Sequence, residues 1–157
     1  MATDMIAAIH NVRVVDPHLT TGGQPTEAQL AAVAAANYDI VINLALHDDP
    51  RYSLKDEAGL VASLGMTYLH IPVIFSAPQP NQLAQFCDAM AAHQGKKMFV
   101  HCAANYRVSA FVGLYRVLRQ GWDNDRAFAL MHELWQPDET WQHFIDAALL
   151  QAKSKQT

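Results

Sequence analysis

Val100-His101-Cys102-Ala103-Ala104-Asn105-Tyr106-Arg107-Val108-Ser109 carries an apolar strand into a cysteine, a short turn, an arginine and the start of a helix. Residues 96–102 (KKMFVHC) begin basic and become β-rich and apolar, whereas RVSAFVGLYRVLRQ, from Arg107 onward, has the spacing of an amphipathic helix that stops at Gly121. The turn between them places Cys102 at a helix N-terminus. There, unpaired backbone N–H groups and the positive end of the helix dipole favour a thiolate and a bound tetrahedral anion. Arg107 can grip two oxygens of such an anion through its planar fork. Ser109 lies within the first helical turn, where its hydroxyl could hydrogen-bond the Cys102 sulfur. His101 cannot act as a simple base for its neighbour, because adjacent strand residues point to opposite faces, so it is expected to anchor the loop from below. Ala103, Ala104, Asn105 and Tyr106 then form the anion cradle, with Asn105 the residue best able to take the left-handed conformation that a tight loop needs.

Working outward, strands and helices alternate. VRVV (12–15) and LTT (19–21) are expected strands around the Asp16-Pro17 turn. Thr26 and Gln29 have capping-box spacing before a helix that runs to Asn37. Asp39 to Leu44 is an expected buried strand, Ser53 an expected cap for a helix from Leu54 to Leu64, Met66 to Ile71 a further strand and Asn81 to His93 a third helix. This alternation predicts an α/β single domain spanning 1–157: a central, mainly parallel sheet flanked by helices, with its site beyond the carboxyl ends of the strands. The last third is expected to be helical, with Asp123 capping 124–135, a final helix from Asp138 to about Lys153, and a polar, disordered tail from about Ser154. Trp122, Trp135 and Trp141 are expected to clamp these terminal helices onto the helix that follows Cys102.

The His-Cys, short loop, Arg and Ser of this segment resemble the signature of the cysteine-dependent phosphatase superfamily. Gly22-Gly23-Gln24-Pro25, Val41-Ile42-Asn43-Leu44 and His70-Ile71-Pro72 extend the likeness over roughly residues 12–120, toward a bacterial phosphatase-like group with a shortened loop. The resemblance implies that Cys102 attacks phosphorus, Arg107 holds the phosphoryl oxygens, Ser109 assists release, and a phosphocysteine is hydrolysed. Three departures stand out. Four residues separate Cys102 from Arg107 where the superfamily has five, none of them is glycine, and Val73 to Gln82 holds no carboxylate where the family's general acid belongs. The loop after Asn43 supplies His47, Asp48 and Asp49 as replacement candidates, the two aspartates preferred. A rhodanese-like sulfurtransferase, whose loop is also tight, and a non-catalytic phosphate-binding module are the competing readings.

The chain of 157 residues, 51% hydrophobic and 17% charged, suits one globular domain with its own core. Its net charge of −4 argues against nucleic acid or a membrane surface as partner, and the expected partner is a phosphorylated substrate or anion. Arg107, Arg116, Arg119, Lys96 and Lys97 are close enough in sequence to suggest a basic patch around the pocket. Cys87, with Leu83, Phe86 and Met90, reads as core filler. No metal-ligand spacing occurs among the two cysteines and eight histidines, so neither metal nor cofactor is expected. The N-terminal nine residues do not read as a signal peptide, which makes the cytoplasm the default location and a free thiol the default state of Cys102. The sequence does not set the oligomeric state.

Overall fold

The computed structural model describes residues 2–156, with side chains up to residue 153. In chain order the elements are α1 (Ala2–Ala7), β1 (Arg13–Asp16), β2 (Leu19–Gly22), α2 (Glu27–Ala35), β3 (Ile40–Asn43), α3 (Glu57–Ser63), β4 (Thr67–His70), α4 (Pro80–Ala92), β5 (Met98–His101), α5 (Tyr106–Gln120), α6 (Asn124–Ala127), α7 (Ala129–Leu134) and α8 (Glu139–Gln156). The strands form one sheet in the order β1-β2-β5-β3-β4, parallel throughout except for β1 against β2. Gly22, His101, Asn43 and His70 lie in one register row across the four parallel strands. That row is the carboxyl edge, and Cys102 follows it directly on the central strand.

Because side chains alternate across a strand, the sheet sorts its residues into two layers. Ile40, Ile42, Val100 and Cys102 join Phe86, Phe111 and Trp141 beneath α4, α5 and the terminal helices. Val41 and Phe99 join Leu30, Val33 and Val61 beneath α1, α2 and α3. Burying strands on both faces explains their near-continuous apolar runs.

Local chemistry sets the helix ends. Thr26 Oγ1 accepts from Gln29 N at 3.1 Å while Gln29 Oε1 accepts from Thr26 N at 2.9 Å, the reciprocal capping box expected there. Gly121 ends α5 with φ of 73°, a left-handed stop that glycine takes without a Cβ clash. Three expectations need correction, and one element was not expected at all. α3 starts after Asp56, whose Oδ1 accepts from Gly59 N at 3.1 Å; Ser53 instead donates to the Leu46 carbonyl and accepts from Asp49 N, so it pins the preceding loop. Asp123 makes no side-chain cap bond, and the helix expected over 124–135 breaks at Phe128 into α6 and α7. α8 continues to Gln156, into the stretch read as a disordered tail, and Thr157 lies outside the described residues. Finally, α1 packs onto α2 from a segment not read as helical.

Candidate active site

A cavity of about 510 Å³ opens over the carboxyl edge of the sheet, with Cys102, Ala103, Ala104, Tyr106 and Arg107 on its floor. Its walls come from the loop after β3 (Leu46, Asp49, Arg51, Tyr52) and the loop after β4 (Ile74, Phe75, Ser76). Cys102 is only 1% exposed, and that exposed edge belongs to the cavity.

The loop between Cys102 and α5 is held by its carbonyls. Those of Cys102, Ala103, Ala104 and Asn105 accept, in turn, from His101 Nδ1 at 3.1 Å, Gln24 N at 3.0 Å, Asn11 Nδ2 at 2.9 Å and Ser109 N at 3.0 Å. Each donor lies outside the cavity, so the carbonyls turn away from it. The amides of Ala103, Ala104, Tyr106 and Arg107 then have no hydrogen-bonded backbone acceptor among the described residues outside the helix ladder. Inward N–H groups at a helix start make an anion nest. Asn105 makes this turn possible without glycine: its φ is 67°, and its buried Nδ2 donates to the Asn11 carbonyl and to Thr21 Oγ1, both at 2.9 Å. The Gly22-Gly23 pair serves the same loop. A Cβ on Gly23 would stand 2.6 Å from the Ala103 carbonyl oxygen and 2.9 Å from that of His10.

Arg107 is 5% exposed and lies on the cavity floor. Its Nη1 donates to the Val73 carbonyl at 2.6 Å, and no carboxylate among the described residues forms an ion pair with it. The rings of Tyr52 and Phe75 lie 6.0 and 5.9 Å from the guanidinium carbon. A fixed, unneutralised guanidinium beside inward amides is what an oxyanion requires.

His101 points to the opposite face, as strand alternation demands, and meets a partner 44 residues away in the chain. Its Nε2 lies 2.6 Å from Glu57 Oε2, with both side chains almost wholly buried, and Gln24 Nε2 donates to Glu57 Oε1 at 2.8 Å. Burial pushes the Glu57 carboxyl up, but the charge and hydrogen bond of His101 outweigh it and hold the group below its ordinary range. Both imidazole nitrogens therefore face oxygens, and the ring ties α3 to the carbonyl of Cys102. The Gln of the GGQP segment was the only local hint of this arrangement.

Other expected site residues fall differently. Ser109 Oγ donates to the Tyr106 carbonyl at 2.9 Å and accepts from Trp135 Nε1 at 3.1 Å, so its proton is committed inside α5 and not to the Cys102 sulfur. Asp48 is exposed and does not line the cavity, because the Ser53 bonds turn Asp49 inward instead. Asp49 is gripped by Arg51 through Nε at 3.0 Å and Nη2 at 2.6 Å, which holds its carboxyl down at about 2. A group so acidic is a poor proton donor near neutrality. His47 leaves the site altogether, stacking on His70 at 3.6 Å with Nε2 2.7 Å from Tyr68 Oη. Of the supposed basic patch only Arg107 lines this cavity; Lys96 and Arg116 belong to the opposite end of the sheet. The tryptophans do clamp: Trp135 stacks on Tyr106 with ring centres 4.9 Å apart, and buried Trp141 donates to the Phe75 carbonyl at 2.7 Å. Cys87 is core, its thiol pushed up to about 11 by burial.

A cysteine-bearing loop between a central parallel strand and a helix, closed by an arginine, defines a protein of the cysteine-dependent, tyrosine-phosphatase-like class. Residues 10–144 match the family described as "DSP-PTPase phosphatase fused to NAD+ Kinase", and the chain belongs to that family. No curated protein matches the chain. Among solved structures it is similar to the DUF442 protein of Shewanella putrefaciens CN-32, with 31% identity, a TM-score of 0.83, and 95% of this chain and 97% of that one covered. P. aeruginosa TpbA in complex with pTyr superposes at a TM-score of 0.67 with 18% identity over 91% and 90% of the two chains. PTPMT1 in complex with PI(5)P does so at 0.76 with 13% identity over 93% and 99%. The last two likenesses establish the shared fold.

Proposed function

We propose that the protein hydrolyses a phosphomonoester through a phosphocysteine on Cys102. The observation that carries this reading is the joint presence, on one cavity floor, of Cys102, the unpaired Arg107 and loop amides freed by their outward carbonyls. Sγ attacks phosphorus as the bond to the ester oxygen breaks, with Arg107 and the amides taking up charge on the equatorial oxygens. Water then attacks phosphorus, the thiolate leaves, and inorganic phosphate is released. The apolar walls of Ile74 and Phe75, with Tyr106 on the floor, suit an aryl group, in keeping with the phosphotyrosine held by TpbA. With Asp49 bound to Arg51, no poised acid meets the leaving oxygen, so water must protonate it. Turnover is then slow and restricted to good leaving groups. A reducing compartment such as the cytoplasm suits a mechanism that needs a free thiol, and no helix among the described residues is long and apolar enough to cross a membrane.

The test is hydrolysis of p-nitrophenyl phosphate between about pH 5 and 7, with single-turnover trapping of phosphorus on the protein. Loss of both signals in Cys102→Ser and Arg107→Ala supports the proposal. If wild-type protein binds phosphate but neither turns over nor labels, the domain is a binding module instead. A persulfide on Cys102 after thiosulfate treatment, without phosphatase activity, would assign sulfur transfer.

A further inference from the structure

At the opposite edge of the sheet, where β2 and β5 begin, a second cavity of about 390 Å³ is lined by Leu19, Met98 and the last turns of α5. It shares no residue with the Cys102 cavity. Arg107 and Arg116 are nine residues apart on α5, so the two guanidinium-bearing turns lie about 13 Å apart along the helix axis. Arg116 lines this second cavity and is 9% exposed, yet its guanidinium makes no hydrogen bond and no ion pair among the described residues. Its one specific contact is the ring of Trp122, 4.2 Å from the guanidinium carbon, which Arg126 also approaches at 4.7 Å. Its nitrogens are not sealed from solvent, so the unpaired fork is open to the cavity that Arg116 lines. Arg107, the other arginine buried to this degree, at least has the Val73 carbonyl.

The surroundings fix the sign of a ligand. Lys96 and His18 stand on the rim, and the buried Tyr115 hydroxyl already accepts from Gln94 Nε2 at 3.3 Å, which leaves its own proton to donate. Asp16 is the single carboxylate on the lining; its Oδ1 accepts from His18 N at 2.7 Å, and it forms no ion pair with Arg116. Donors and positive charge outnumber acceptors. We propose that this cavity is a second ligand site, separate from the Cys102 loop, that takes a small oxyanion, a phosphate or a carboxylate, on the fork of Arg116 with Lys96 and Tyr115 in support. The site does not depend on whether Cys102 is catalytic.

The experiment is a two-dimensional NMR titration of the full chain with inorganic phosphate, sulfate and succinate in separate arms. The indole N–H of Trp122 and the Nε–H of Arg116 report on this site, and the amides of residues 103–107 report on the Cys102 loop. Saturable shifts at Trp122 and Arg116 with at least one anion are expected. Arg116→Gln should weaken them at least about 10-fold while the loop amides titrate as before, and Lys96→Gln, at an exposed position, should weaken them roughly 3-fold. Response to phosphate and sulfate alone identifies a phosphate-type ligand; response to succinate identifies a carboxylate. If Arg116→Gln fails to fold, Arg116→Lys and Lys96→Gln carry the test. Trp122 and Arg116 signals that stay still in all three arms, or that titrate unchanged in a folded Arg116 variant, overturn the proposal.

Discussion

Arg107 is aimed by a backbone carbonyl and left without a counter-ion, an arrangement that keeps its charge available to a ligand. Lysine at this position would preserve the charge but lose the fork, so it could not donate to Val73 and hold two phosphoryl oxygens at once. Arg107→Lys is accordingly expected to lower kcat/KM on aryl phosphates by about 10²–10³ while leaving the thermal midpoint within a few degrees, which steady-state kinetics and a melting curve would check. Asp49 presents the opposite situation. The Arg51 hydrogen bonds hold it at about 2, so it is ionised across the whole working range and its proton is unavailable. Asp49→Asn should change kcat by less than about 3-fold and leave the acid limb of the pH–rate profile between about pH 5 and 7 where it was. If the variant instead loses about 100-fold on alkyl phosphates and little on aryl ones, Asp49 is the acid and Arg51 must move when substrate binds.

The loop from Cys102 to Arg107 was legible because everything it needs is contiguous: strand, cysteine, a residue tolerant of positive φ, arginine, helix. Asn105 could be singled out on propensity alone, and it does take the left-handed turn. What holds the loop was not legible, because its partners are far away in sequence. Asn11 is 94 residues from Asn105, Val73 is 34 from Arg107, and Glu57 is 44 from His101. Likewise, Asp48 and Asp49 are equivalent as sequence, and the bonds of Ser53, misread as a helix cap, decide which one faces the cavity. Asn105→Ala removes two hydrogen bonds and puts at positive φ a residue that tolerates the left-handed region less well than asparagine. A loss of roughly 2–4 kcal/mol is expected from denaturant titration. Asn105→Gly keeps the conformation and should lose less. The ordering matters more than either value, since equal losses would mean that the turn's shape contributes nothing.

Across the whole molecule, the sheet separates two settings: Cys102 faces the α5 layer and the cavity, and His101 faces the α3 layer, where Glu57 and Gln24 fix it. The Glu57–His101 pair is therefore a strut joining the two layers through the central strand, and it ends on the carbonyl of Cys102. Because the folded-state carboxyl of Glu57 lies below its ordinary value of 4.5, the unfolded chain binds that proton more readily. The stabilisation from the pair is thus fully present above about 4.5 and is lost as pH falls through the lower folded value. Glu57→Ala leaves the His101 ring buried without its acceptor, at a cost of about 3–5 kcal/mol at pH 7. For a chain of this length that lowers the melting midpoint by roughly 6–20 °C. The variant's stability should also depend less on pH below 4.5 than the wild type's, because the titrating partner is gone. Calorimetric scans of both proteins at pH 7 and in that acid window test the two halves separately. A variant as stable as wild type at neutral pH would show that the strut is dispensable to the fold. An unchanged acid slope would show that some other carboxylate governs acid unfolding.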